Sequence, residues 1–199
     1  GTATEGEVHV DQIVQSMNAY VDAYDCYYLT LLIDPHGKLI AANTRNSAGN
    51  AIDTQFLHET NWADYDWHAE TLRCQPGKIV IEDLYVDEAA QRLYGDEGLA
   101  LGFSMPLRNA QGDIVAVWKN VINFEQVENQ LVSAYSELKS QGNPSAEITL
   151  LDPTGNVIAD CDPQRTGQES VQRDMAVIGK LNLADQGVAA AVNALTGEP

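Results

Sequence analysis

Four side chains able to hold a small molecule fall close together in the chain: Trp62, Tyr65, Trp67 and His68. Their rings supply apolar area with polar tips, the usual make-up of a small-molecule pocket wall. Each could instead pack a short helix onto a sheet. Trp62 is assigned to packing; Tyr65, Trp67 and His68 are candidates for ligand contact. A second group, Trp118, Lys119 and Asn120, interrupts an otherwise apolar stretch. A lysine and an asparagine placed there must face solvent or find partners. Strand alternation puts Trp118 and Asn120 on one face and Lys119 on the other. If Lys119 looks into the molecule, a carboxylate ligand gains a counter-charge. If Asn120 does, the ligand meets a hydrogen-bond donor and an aromatic wall. Tyr85 and Asp87, expected just after a strand, complete the set; a solvated loop is the other reading for these two.

Catalytic chemistry finds little footing. The chain lacks G-x-S-x-G, H-E-x-x-H and a Walker loop. His68-Ala-Glu70 has the H-x-E spacing of zinc deaminases, but no P-C-x-x-C accompanies it. His9, His36 and His58 are scattered. The acidic stretch from Asp83 to Glu88 lacks the spacing of a calcium loop and reads as a solvated segment. The expectation is therefore a binding module and not an enzyme, with no cofactor and no metal. A formal net charge of −18 excludes nucleic acid as a partner, because a polyanion demands a basic stripe. Cys26, Cys74 and Cys161 show neither metal-site nor disulfide-framework spacing, and whether Cys26 and Cys74 pair stays open.

These residues need elements to carry them. Val10, Ile13, Val14, Met17, Val21 and Tyr24 fall on one face of an N-terminal helix. A hairpin follows over Thr30–Ala41, and it recurs over Thr149–Ala159. Asp34, Pro35, Gly37, Ile40 and Ala41 match Asp152, Pro153, Gly155, Ile158 and Ala159. In each, Asp bonds the following backbone, Pro presets φ and Gly accepts positive φ. A looser third copy spans Pro106–Val117. Val127, Leu131, Tyr135 and Leu138 form a helical face before the second strong copy, as the first helix does before the first. Between the two, Asn61–Cys74 predicts a helix with Asp64 as its cap. Lys78–Glu82, Leu99–Met105 and Ile114–Ile122 predict strands. The expected fold class is α+β: a long N-terminal helix and a PAS-like five-stranded antiparallel sheet with helices, then a second PAS-like module expected to be incomplete. The expected boundaries are an N-terminal helix at 1–26, a ligand-binding module at 27–124, a connecting helix at 125–143 and the second module at 144–199. After its hairpin that module is expected to run through Thr166–Lys180 to a helix at Val188–Leu195, without the three trailing strands.

The order of these parts resembles the double Cache sensor domains of bacterial methyl-accepting chemotaxis receptors. The resemblance rests on Ile33–Asn43, Asp66-Trp-His68, Leu101–Leu107, Gly112–Val117 and Leu151–Ala159, over roughly residues 5–165. It implies an extracytoplasmic, periplasmic domain of an inner-membrane receptor, anchored by helices outside this sequence, with the ligand in the membrane-distal first module. The same sensor in a histidine kinase or a diguanylate cyclase, or a free-standing binding protein, are the alternatives. Amino-acid sensors of this family carry R-x-W-Y on the middle helix. Here Trp67 matches the Trp, His68 stands at the Tyr, and Tyr65 replaces the Arg. A bidentate carboxylate clamp needs a guanidinium, so the expected ligand is a small polar or carboxylated metabolite such as an organic acid. Homodimerisation through the N-terminal helix is a further expectation.

Overall fold

A computed structural model describes residues 5–143, 145–161, 171 and 173–197. They form two compact units, residues 1–123 and 124–199. In the first unit, α1 (Glu5–Tyr24) precedes β1 (Tyr27–Ile33) and β2 (Leu39–Ala42). Two short 3-10 turns (Gln55–His58 and Trp62–Asp64) lead into α2 (Asp66–Arg73). β3 (Val80–Val86), α3 (Glu88–Tyr94), β4 (Leu99–Arg108) and β5 (Ile114–Asn123) complete the unit. The five strands pair in the order β2-β1-β5-β4-β3, all antiparallel.

Each face of this sheet has its own core. On one face, α1 lays Met17, with Val10, Ile13 and Val14, against Leu32, Ala41, Ala116 and Trp118. Its predicted apolar stripe is thus used in closing the fold; Tyr24, at its end, is 60% exposed. The other face carries Leu29, Leu31, Ile33, Val117 and Val121 beneath Leu57, Trp62, Trp67 and Ala90. This second layer holds the site.

The hairpin turns follow one pattern in three places. Asp34 Oδ1 accepts from His36 N and Lys38 N at 2.8 and 2.9 Å, while Gly37 N donates to Asp34 O. Asp152 repeats this with Thr154 N, Asn156 N and Gly155 N. Asn109 repeats it with Gln111, Asp113 and Gly112. The glycine of each turn has positive φ, at 86°, 92° and 92° in chain order, where any Cβ is strained.

The second unit contains α4 (Glu125–Ser140), β6 (Ile148–Leu151), β7 (Val157–Cys161) and α5 (Ala189–Thr196). β6 and β7 make a two-stranded antiparallel sheet. Buried Glu128 on α4 accepts both Arg173 Nε and Nη2 at about 2.9 Å, a bidentate pair. Residues 166–170, part of a segment expected to follow the hairpin, lie outside the described residues.

Sequence and structure part in two places. Asp64 does not cap α2: the chain makes a 3-10 turn there, and extended Tyr65 is the capping residue. The acidic stretch is not a solvated loop. It belongs to β3 up to Val86, and Asp87 then caps α3, a helix the apolar pattern did not reveal because it is only 7 residues long.

Candidate ligand-binding site

A cavity of about 490 Å³ lies in the first unit between the sheet and its helical layer. β5 supplies its floor. Val117, Lys119 and Val121 alternate inward, and Lys119 is only 2% exposed although it carries an ammonium group. That group lies 4.2 Å from the centre of the Trp67 ring and 5.4 Å from that of Tyr85, both cation–π distances. It forms an ion pair with Glu82 of β3. Burial pulls the Lys119 ammonium down, to about 7. The Glu82 carboxylate in contact favours its charged form, so we assign the pair as ionised at neutral pH.

Glu82 and Tyr85 reach the same cavity although they sit three residues apart on one strand. Simple alternation would put them on opposite faces. The β3–β4 register shifts between Glu82 and Tyr85, and this irregularity turns both side chains inward. Glu82 pairs with Gly102 of β4, so no side chain separates it from Lys119. A Cβ on Gly102 would overlap the Glu82 carboxylate and come within 2.8 Å of Lys119 Nζ.

The walls come from α2 and α3. Thr71 Oγ1 donates to Trp67 O at 2.7 Å and meets Ser104 Oγ at 2.6 Å, fixing α2 on β4. Asp87 caps α3 by accepting from Ala90 N at 2.8 Å, and its second oxygen accepts from Tyr85 OH at 3.1 Å. Burial raises the pKa of both groups, more than the hydrogen bonds lower that of Asp87. One and a half turns along α3, the Arg92 guanidinium stacks 3.9 Å above the Phe56 ring and lines the cavity. Tyr65 stands at the opening, 44% exposed, its phenol pKa raised by burial and then by Glu88 and Asp87.

Of the eight candidates, Tyr65, Trp67, Tyr85, Asp87 and Lys119 line this cavity. His68, Trp118 and Asn120 do not. His68 is 1% exposed, with Nε2 3.2 Å from Asp34 O, so it ties α2 to the first hairpin turn. Trp118 belongs to the α1 face of the sheet and donates from Nε1 to Asn120 Oδ1 at 2.9 Å. Asn120 Oδ1 also accepts from Thr30 Oγ1. The alternation argument therefore resolves toward Lys119. Sequence reasoning missed Glu82, Arg92 and Gly102. Asp87 before and Gly95 after seven residues are readable start and stop signals for the helix that holds Arg92. A glycine inside an apolar strand is likewise a signal of close approach.

No protein-family model and no curated protein sequence matches the chain. Solved structures do. The sensory domain of the Campylobacter jejuni chemoreceptor Tlp3 superposes with a TM-score of 0.56 at 16% identity, over 85% of this chain and 59% of that one. The ligand-binding domain of the Pseudomonas aeruginosa PAO1 amino acid chemoreceptor PctC, in complex with GABA, gives 0.51 at 16% identity, over 94% and 64%. The extracellular domain of vpHK1S-Z8, described as a histidine kinase, gives 0.61 at 10% identity, over 90% and 58%. The chain shares its fold with these domains. The chain spans less than two thirds of the length of each of these structures. No helix among the described residues is long and apolar enough to cross a membrane.

Proposed function

We infer that the chain is the extracytoplasmic ligand-sensing part of a bacterial transmembrane receptor, a chemoreceptor in first preference. Its first unit binds a small carboxylated metabolite in the cavity above β5. The observation that carries the ligand class is Lys119, an ammonium buried on the floor of an aromatic-walled cavity. Arg92 supplies a second cation at the wall. A bound carboxylate would lie between them, with Trp67 and Tyr85 against its carbon skeleton. Binding would shift the population between two packings of the helical layer on the sheet, which requires tighter binding to one of them. Output through a histidine kinase or diguanylate cyclase would use the same sensor.

A free amino acid is the second reading, favoured by Asp87 and Glu88 on the same cavity wall. These could meet an ammonium group while Lys119 meets the carboxylate. The structural neighbours include the Tlp3 domain with isoleucine bound and the PctC domain with GABA. A thermal-shift screen of organic acids against amino acids separates the two. Stabilisation by organic acids, lost in Lys119→Met, is the expected result. Stabilisation by amino acids alone would overturn the organic-acid reading in favour of the second.

A further inference from the structure

The ammonium that would meet the ligand already has a carboxylate on it. Glu82 reaches across the sheet from the edge strand β3 to Lys119 on β5, passing over β4. The crossing is possible because the intervening residue is Gly102, whose missing side chain leaves the Glu82 carboxylate and Lys119 Nζ resting on bare backbone. Trp67 and Tyr85 bracket the same ammonium. All five residues belong to the first unit, and Glu82, Lys119, Trp67 and Tyr85 line the cavity itself.

We propose that Glu82 is a built-in stand-in for the ligand: its carboxylate occupies the place on Lys119 that a ligand carboxylate takes, and binding exchanges one for the other. This deepens the carboxylate reading above and rests on it. The exchange has two consequences. First, apparent affinity is reduced by the fraction of molecules in which Glu82 holds Lys119, so the site responds only to acids that outcompete an intramolecular carboxylate. Second, ligand entry releases Glu82 and with it the ion pair that ties β3 to β5 across β4. The ligand's differential contact is thereby converted into a change at the sheet edge. The ammonium stays charged and paired in both states, which is why the exchange does not bury an isolated charge.

The test is calorimetric titration of the wild-type chain, Glu82→Gln, Lys119→Met and the double variant. The probe is whichever straight-chain mono- or dicarboxylate, from acetate to glutarate, gives the largest thermal shift. Glu82→Gln keeps the shape and removes the competing charge, so it is expected to tighten binding about tenfold or more. Lys119→Met is expected to abolish binding. Because it leaves Glu82 without its cation, the double variant, which has no charge at either position, supplies the folded control and is also expected not to bind. An acid that binds Glu82→Gln but not the wild type supports the exchange equally. Equal or weaker binding to Glu82→Gln overturns it while leaving the cavity as the site. Absence of acid binding to every variant overturns the exchange and the ligand class together.

Discussion

Gly102→Ala isolates the geometry on which the floor of the cavity depends. Gly102 is a strand residue without positive φ, so alanine fits its backbone. By itself such a change stabilises by about 0.4–1 kcal/mol, because the unfolded chain has fewer states to lose. Against that gain stands the added methyl group, which overlaps the Glu82 carboxylate and sits 2.8 Å from Lys119 Nζ. Both atoms end flexible side chains, so the sheet survives and the ion pair is forced aside. Overpacking of this kind costs about 1–3 kcal/mol. The net expectation is a loss of about 1–2 kcal/mol, or a Tm lower by about 4–8 °C in a unit of this size. Thermal denaturation followed by circular dichroism reads it. The decisive comparison uses a Glu82→Ala background, where the overlapping carboxylate is gone and Lys119 can swing toward the vacated space. There Gly102→Ala is expected to be neutral or to stabilise by up to about 1 kcal/mol. The resulting coupling of at least about 1 kcal/mol is well above that of independent sites. Equal penalties in both backgrounds would refute the reasoning, since glycine would then be required by the strand and not by the pair.

Two further outcomes follow from residues outside the cavity. His68→Ala removes the contact from α2 to Asp34 O and leaves a small void. It is expected to cost about 1–3 kcal/mol with ligand affinity changed less than threefold; loss of binding in a folded His68→Ala protein would return His68 to the site. Asp152 gives a pH dependence of known sign. Burial alone would push its carboxyl up, but hydrogen bonds from the side chains and backbones of Asn156 and Thr154 bring it down, from 3.8 to about 2. Its stabilisation of the second hairpin is therefore present above about pH 4 and lost as pH falls through about 2. Amide shifts of Thr154 and Asn156 should titrate near the lower value, and a midpoint near 4 would contradict the turn's geometry.

The sequence determined the parts whose cause is local. Asp-Pro-x-Gly encodes a turn through one side-chain oxygen and one positive φ. For that reason both strong hairpins, and the looser one at Asn109, could be read directly. The α1 stripe was legible because Val10, Ile13, Val14 and Met17 recur at helical spacing and all pack on the sheet. The nature of part of the site was legible too, since a lysine among apolar strand residues must be accommodated somewhere. Which face accommodates it was not. That depends on α1 covering the Trp118 side, a contact between segments a hundred residues apart. His68 falls outside the cavity for a related reason: its partner is a turn carbonyl 34 residues away, and carbonyls are invisible to residue type. Only the folded sheet brings Glu82 to Lys119. The two meet because β4 lies between β3 and β5, because the β3 register slips before Tyr85, and because position 102 has no side chain. Each of those is a relation between strands, and pairing between strands is what periodicity along a single strand cannot express.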